Sequence, residues 1–282
     1  MAVFWAIACM VFSAANDLLF KFYARIPRSN GRFVAMIGVI WFFFALSCVR
    51  EMPAQWGATI FWGVISGFCS AGGNLLMLRA MRVLDAGVCS TIYRLNLVPV
   101  VIGAALLLEE EISLTGWIGI LCALAAVIGF LPRKSGEKNV RDIALISFGI
   151  IITASLMRAA MGLSYSYGFA HGAERSWVVV INSLFWVIGG ILCALSEPAP
   201  ANKTESRKLW AYGIGSGILV TVIVLTMAAG LAAGKASIVL PIAQMSFLLT
   251  GLAGAIFLKE PMTLRKIAAM LSGAAAVVLL SL

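Results

Sequence analysis

The sequence has little charge and almost no histidine. Only 12% of its 282 residues are Asp, Glu, Lys or Arg, whereas a soluble globular domain carries roughly a quarter. One histidine and six cysteines without a CxxC spacing do not supply a typical cysteine or histidine metal site. HExxH, GxSxG and Walker motifs are also missing from the sequence. We therefore expect no metal, no cofactor and no enzyme.

Apolar residues are abundant instead. They make up 62% of the chain, and the mean hydropathy is +1.01. Apolar runs of about 18 residues or more recur along the sequence, which is typical of membrane-spanning helices. The first run is too long for the core of a secretory signal and lacks a basic segment before it. We predict an all-α protein of the bacterial inner (plasma) membrane with ten transmembrane helices, at residues 2–24, 33–49, 57–78, 86–108, 114–132, 142–168, 176–195, 210–232, 236–258 and 264–282.

The net charge of +9 is unevenly distributed among the predicted loops. Fifteen Lys and Arg residues lie in the loops after helices 1, 3, 5, 7 and 9, and only Arg50, Arg175 and Lys235 lie in the others. Short loops rich in Lys and Arg stay cytoplasmic, so this bias predicts that both termini lie outside. We expect the basic residues to meet anionic lipid headgroups rather than nucleic acid.

The sequence repeats itself at a shift of 150 residues. "WGVISGF" at residues 62–68 aligns with "YGIGSGI" at 212–218, and "ALLLEEEISL" at 105–114 aligns with "AIFLKEPMTL" at 255–264. "LCALAAV" at 121–127 aligns with "LSGAAAV" at 271–277. An odd number of helices in each half inverts the second half, as in secondary transporters with a midplane site and alternating access. We predict five-helix repeats at 1–132 and 142–282, joined by a basic linker at 133–141.

These features resemble the drug/metabolite transporter superfamily, and specifically its ten-helix EamA-type members. The resemblance rests on two five-helix halves, a small-residue third helix and an acidic residue between the fourth and fifth helices ("LLLEEEISL", "IFLKEPMTL"). It implies a transporter, in a family that moves amino acids, other metabolites, nucleobases and drugs. Members are generally described with cytoplasmic termini, which is opposite to the orientation that the charge bias favours.

Helix 1 contains Asn16, Asp17 and Lys21 within an apolar span. Asp17 and Lys21 are four residues apart in the order that favours an ion pair on one helix face. One interpretation is that this pair neutralises itself, or that Lys21 extends to the membrane interface. The other is that Asp17 faces the cavity and couples transport to protons, with Asn16 and Lys21 beside it. Small multidrug transporters of four helices resemble this chain in placing an essential acid on helix 1.

Helix 4 places Arg94 near the middle of its span. At that depth a guanidinium group reaches the membrane surface only with difficulty, and it cannot be deprotonated. We interpret it as a substrate contact, with a scaffold pairing to Asp17 as the alternative. The polar residues expected with it, in helix 4 and in its repeat counterpart, are Tyr93, Asn96, Gln244 and Ser246. Pro99 and Pro241 are expected to kink these two helices.

Helix 6 carries a second mid-span arginine, Arg158, followed by Tyr165. Two arginines against one aspartate predict a positive cavity that holds a carboxylate or another anion. Asn74 in helix 3 is a further candidate, either for the substrate or for bonding between helices.

Two glycine pairs and two acidic residues have structural interpretations. Gly63 with Gly67 and Gly213 with Gly217 have the GxxxG spacing of close helix crossings, which we assign to packing or gating. Glu110 and its counterpart Glu260 each precede a helix, where a carboxylate favours the positive N-terminus and a following hydroxyl caps it. We interpret both as structural turn residues.

The function favoured by the sequence is export of a small polar metabolite, an amino acid or another carboxylate-bearing solute, by alternating access with or without proton coupling. A proton-coupled exporter of cationic drugs that uses an unpaired Asp17 is the alternative. A membrane-embedded enzyme or a scaffold is more remote. The expected partners are a small-molecule substrate, protons and membrane lipid, and the chain is expected to act as a monomer or homodimer.

Overall fold

The computed structural model describes residues 1–26, 28–107, 112–131, 138–198, 200 and 203–282. Regular structure within these ranges is entirely helical, which confirms the predicted all-α class. The helices are α1 (Ala2–Ala24), α2 (Asn30–Ser47), α3 (Trp56–Ala80), α4 (Ala86–Arg94), α5 (Leu97–Leu107), α6 (Leu114–Phe130), α7 (Lys138–Ala170), α8 (Arg175–Leu195), α9 (Lys203–Ala233), α10 (Ala236–Gln244), α11 (Ser246–Leu258) and α12 (Leu264–Leu279).

Among the described residues, eight segments are long and apolar enough to cross a membrane. They comprise α1, α2, α3, α7, α8, α9, the 86–103 segment of α4 and α5, and the 238–258 segment of α10 and α11. The shorter helix α6 is also apolar. The chain is an integral multi-pass membrane protein.

Two spans that the sequence predicted as single helices are broken. The predicted fourth span contains α4 and α5, separated at Leu95 and Asn96, and residues 236–258 form α10 and α11, which meet at Met245. Pro99 explains the first break because its ring displaces the carbonyl four residues earlier, which is that of Leu95. Pro241 lies inside α10 and acts on a carbonyl at the start of that helix, so its ring does not explain the second break.

Helix bounds recur at the 150-residue shift. Helix α4 spans 86–94 and α10 spans 236–244, while α6 and α12 begin at Leu114 and Leu264. Both of the latter helices have a hydroxyl at the N-cap. Ser113 Oγ accepts a hydrogen bond from the Gly116 N–H at 3.1 Å, and Thr263 Oγ1 accepts one from the Lys266 N–H at 3.3 Å. Each cap satisfies a backbone donor that the first helical turn leaves free.

Small residues allow the helices to cross closely. Helix α2 packs against α8 and α9, α3 against α7 and α8, α1 against α9, and α6 against α12. At the α2–α8 crossing, a Cβ on Gly31 would lie 2.3 Å from the Ala194 nitrogen, and one on Gly190 would lie 2.5 Å from the Ala35 nitrogen. Only glycine permits this direct backbone contact. The crossing brings α2 and α8 together beneath the centre of the bundle.

The predicted glycine pairs lie at two further crossings. A Cβ on Gly63 or Gly67 of α3 would lie within 2.9 Å of a side chain of α8. A Cβ on Gly213 or Gly217 of α9 would lie within 2.9 Å of a side chain of α2. These pairs therefore determine how closely α3 and α9 approach the α2–α8 pair, on either side of the central space.

Candidate functional site

A cavity of about 310 Å³ lies between helices α1 to α4 and helices α7 to α9. Seven of the polar residues predicted from the sequence line it: Asn16, Asp17, Asn74, Tyr93, Arg94, Arg158 and Tyr165. They come from α1, α3, α4 and α7; α3 packs against α7, and α4 packs against both α1 and α7. The other predicted candidates that the structure describes do not line it.

Much of the cavity wall is apolar and was not predicted. The wall residues without a sequence signal are Ser13, Phe20, Trp41, Ser70, Met77, Met161, Val179, Trp186, Val220, Ile223 and Val224. Trp41 and Trp186 meet edge to face with their ring centroids 5.4 Å apart. Trp186 Nε1 donates a hydrogen bond to Ser70 Oγ at 2.8 Å. Apolar residues cover every face of a membrane helix, so periodicity cannot show which of them face a cavity.

Asp17 is 5% exposed and is engaged by three side chains. Its Oδ2 accepts hydrogen bonds from Ser90 Oγ at 2.5 Å and from Thr250 Oγ1 at 3.4 Å, and lies 3.8 Å from Arg94 Nη2. Ser90 was missed by sequence analysis, although it lies four residues before Arg94 and therefore on the same face of α4. The carboxylate joins α1 to α4 and α11 at the floor of the cavity.

Arg94 has a second partner in the other half of the chain. Its Nη1 donates to Gln244 Oε1 at 3.3 Å, so two residues that the 150-residue shift aligns are in direct contact. The Arg94 Nε is buried without a partner among the described residues. The guanidinium is thus fixed on one side and retains an unused donor.

Asn96 and Ser246, which were also predicted around Arg94, do not line the cavity. With its amide oriented to satisfy its polar atoms, Asn96 donates to the carbonyl oxygens of Tyr93 at 3.2 Å and Arg94 at 3.0 Å, and so stabilises the end of α4. Ser246 is buried at the start of α11, and its hydroxyl has no partner in the described part of the chain.

Arg158 of α7 lies against α4 in the cavity wall. Its guanidinium carbon is 5.7 Å from the centre of the Tyr93 ring, a cation–π distance. No described carboxylate lies within ion-pair distance of Arg158. The Tyr93 hydroxyl is buried and likewise finds no partner among the described residues. Arg158 therefore presents a positive charge to the cavity that no described carboxylate neutralises.

The side chains of Asn74 and Tyr165 are held in place by neighbours. Asn74 Nδ2 donates to the Ser70 carbonyl one turn earlier, at 2.9 Å. The Tyr165 hydroxyl accepts a hydrogen bond from Asn182 Nδ2 at 2.8 Å. Asn16 Oδ1 accepts a bond from Ser216 Oγ of α9 at 2.6 Å. These bonds position polar groups in the cavity wall without using a charged partner.

Lys21 lies outside the cavity and does not pair with Asp17 in the described structure. Its Nζ donates to the carbonyl oxygens of Met81 at 2.8 Å and Leu84 at 2.5 Å, and lies 3.5 Å from Glu260 Oε1. The ion pair predicted along helix 1 does not form because α1 buries Lys21 against the α3–α4 turn instead.

Glu260 also differs from its prediction. Its two carboxylate oxygens accept the Ala86 N–H at 3.0 and 2.9 Å, so it caps the N-terminus of α4 rather than that of α12, the helix that follows it. Lys266 pairs with Asp85 at the same turn. We call the contacts of Lys21 and Glu260 with residues 81–86 the latch. Glu110, the predicted counterpart of Glu260, lies outside the described residues, as do positions 132–137 of the linker region.

At the opposite end of the bundle, Glu174 links the start of α8 to α3 through hydrogen bonds. The Glu174 carboxylate accepts the Trp177 N–H at 2.8 Å at the start of α8, and its backbone N–H donates to Thr59 Oγ1 at 3.0 Å. Desolvation acts to raise the pKa of Glu174, but hydrogen bonds from the Trp177 and Ser176 backbone and the Ser176 side chain outweigh it. The pKa therefore lies below its ordinary value.

Comparison with solved structures supports the fold alone. A crystal structure of another protein superposes with a TM-score of 0.62 at 17% sequence identity, over 99% of this chain and 97% of the other. No curated protein matches the sequence. The model of the EamA-like transporter family matches residues 1–131. Through these residues, which are somewhat less than half of the chain, the protein is similar to the EamA-like transporter family.

Proposed function

We propose that the chain is a secondary transporter that exports a small carboxylate-bearing metabolite by alternating access. Members of the family that it resembles are transporters rather than enzymes. The observation that carries the proposal is Arg158, a mid-span guanidinium that faces the cavity without a described carboxylate partner. An unpaired charge within a membrane is costly and marks a substrate or ion pathway.

Alternating access requires two halves that rock against each other, and we propose that residues 1–132 and 142–282 are these halves, in inverted orientation. The matching helix bounds at the 150-residue shift support this. Arg94 contacts Gln244, and Ser272 Oγ donates to the Cys122 carbonyl at 2.7 Å. Both contacts join residues that the shift aligns, as expected near a pseudo-two-fold axis.

The latch is our candidate for the gate at one end of the cavity. It joins α1, the α3–α4 turn and the α11–α12 turn, and the Lys21 and Glu260 side chains are only 8% and 11% exposed. Cys89, which follows the latch on the same helix as Ser90 and Arg94, is fully buried. Access from that end would require the latch to open.

Asp17 is our candidate for proton coupling. It is the single carboxylate of the cavity wall in the part of the chain that the structure describes, and it binds α4 through Ser90 and Arg94. Protonation would remove the charge that holds Arg94 and so loosen α1 from α4. Asn16 lies beside it in the wall, whereas Lys21 contributes at the latch.

Export of cationic drugs is the second candidate, and no observation favours it. That mechanism needs an available carboxylate, but Asp17 is engaged by Ser90, Thr250 and Arg94. Two arginines in the wall repel a cation. The geometry therefore supports an anionic group on the substrate.

The test is flux of labelled solutes through purified protein in liposomes. A carboxylate-bearing metabolite should exchange in the parent protein and stop exchanging in Arg158→Gln. Full flux in both Arg158→Gln and Arg94→Gln would contradict the carboxylate pocket. Absence of flux for every solute offered, with folded protein in the bilayer, would contradict the transporter proposal itself. Vesicles of known orientation would establish the direction.

A further inference from the structure

We infer that the cavity selects a solute with a net charge of minus one and an apolar body, rather than a zwitterionic amino acid. This inference rests on the proposed transport function and narrows its substrate class. It follows from the charges in the wall, from donors that lack acceptors and from the apolar part of the cavity.

The charged groups of the wall do not balance. Among the described residues, the cavity is lined by two guanidinium groups and one carboxylate, those of Arg94, Arg158 and Asp17, a formal net of one positive charge. Uncompensated charge is strongly unfavourable away from water. A bound monoanion neutralises the site, whereas a zwitterion brings no net charge and leaves the imbalance in place.

The unsatisfied groups near this charge are hydrogen-bond donors. The Tyr93 hydroxyl and Arg94 Nε are buried without partners among the described residues, and Arg158 lies over the Tyr93 ring. An arginine N–H can only donate, and a phenol donates well to an anion. A carboxylate offers acceptors and no donors, and charge-assisted bonds to it are stronger than neutral ones.

For an ammonium group on the substrate, the described cavity wall offers no binding position comparable to these donors for a carboxylate. Asp17 is the single carboxylate that the described residues contribute to the wall, and its Oδ2 already accepts from Ser90 and Thr250 and lies beside Arg94. An ammonium bound there would compete with Arg94 and would release a second guanidinium without a counterion. The α-amino group of an amino acid would therefore weaken its binding in this cavity.

The body of the solute would lie against apolar and aromatic surface. Phe20, Trp41, Trp186, Met77, Met161 and Val220 are among the wall residues. Aromatic rings and flexible methionine side chains pack well against a flat apolar group. The inferred class is therefore an aliphatic or aromatic monocarboxylate.

The experiment compares three probes that share one carbon skeleton: 3-phenylpropanoate, L-phenylalanine and 3-phenylpropanamide. Their binding to the full chain in lipid nanodiscs is measured by calorimetry at neutral pH and constant ionic strength. We expect 3-phenylpropanoate to bind about tenfold or more tightly than the other two. Arg158→Gln should weaken its binding about tenfold, Arg158→Lys should do so less, and Lys208→Gln, which removes an exposed positive charge, should leave it unchanged.

The remaining outcomes each contradict the inference. Equal or tighter binding of L-phenylalanine would show that the charge balance does not select the substrate. Absence of 3-phenylpropanoate binding, or binding that Arg158→Gln does not weaken, would remove the anion site from this cavity. None of these results contradicts transport as such, because flux of an amino acid in liposomes is measured independently.

Discussion

Lys21 and Glu260 meet across the turn that joins α3 to α4, with Nζ and Oε1 3.5 Å apart. Each also binds the backbone of that turn, Lys21 through the Met81 and Leu84 carbonyls and Glu260 through the Ala86 N–H. One cation and one anion from distant parts of the sequence therefore hold the same short segment. This arrangement makes the first prediction possible.

The latch should control access to Cys89, a native cysteine that is fully buried on α4. In a variant that retains Cys89 and lacks the other five cysteines, Glu260→Gln or Lys21→Met should accelerate modification by N-ethylmaleimide about tenfold, because removing one partner favours local opening. Lys259→Gln is the matched control, since Lys259 is exposed in the same turn. Equal rates in all variants would show that the latch does not close this end.

Arg94 and Asp17 should stabilise the fold as a pair. Either Arg94→Gln or Asp17→Asn leaves a largely buried charge uncompensated and should lower the free energy of unfolding by about 3 kcal/mol. The double variant should lose less than the sum of the two single losses. Thermal unfolding in detergent measures all four proteins. Additive losses would mean that the two groups do not interact.

Arg158 should behave differently, because it has no described carboxylate partner. Arg158→Gln should change the free energy of unfolding by less than about 1 kcal/mol while abolishing solute flux. Arg158→Lys keeps the charge but loses bidentate binding, and should retain part of the flux. A large loss of stability in Arg158→Gln, similar to that of Arg94→Gln, would assign Arg158 to the scaffold.

The orientation of the chain can be tested with two single cysteines in a variant without native cysteine. Lys203→Cys lies at the start of α9, in a basic loop, and His171→Cys lies in the loop between α7 and α8. From the charge bias we expect an impermeant reagent outside the cell to label position 171 and not position 203. The reverse pattern would place both termini in the cytoplasm, as the family resemblance implies.

Glu174 should make stability depend on pH at the other end of the bundle. Its pKa in the folded protein is lowered, so its contribution is complete above the ordinary pKa of glutamate and is lost as the pH falls through the folded value. Glu174→Gln should therefore be less stable than the parent at neutral pH, with a difference that narrows on acidification. A difference that is constant with pH would show that the ionised form is not the stabilising one.

The sequence predicted the membrane class and the all-helical fold, because long apolar runs are local signals. It also predicted seven polar residues of the cavity wall, because ionisable and polar groups are rare within apolar spans. The sequence did not predict the contacts of Lys21 and Glu260. Both depend on which loops meet in three dimensions, and an ion pair one turn apart on helix 1 was the simpler local solution.

The breaks in the predicted helices and two hydroxyl partners of Asp17 were also not predicted in full. Pro99 accounts for the break at Leu95 and Asn96, but the similar break at Met245 does not follow from the position of Pro241. Ser90 and Thr250 were missed because single hydroxyls are common in membrane helices. Their importance appears only when Asp17 is seen between them.

Because the helical structure is interrupted at both of its ends, α4 is a short helix of nine residues, about 13 Å long at 1.5 Å per residue. Glu260 holds its first residue, and its last residue is Arg94 in the cavity wall. A rigid body of this length transmits movement from end to end without deforming. A solute that draws Arg94 away from Asp17 would therefore tilt α4 and pull on the Ala86 N–H. Binding in the cavity and closure at the latch would then both act through α4.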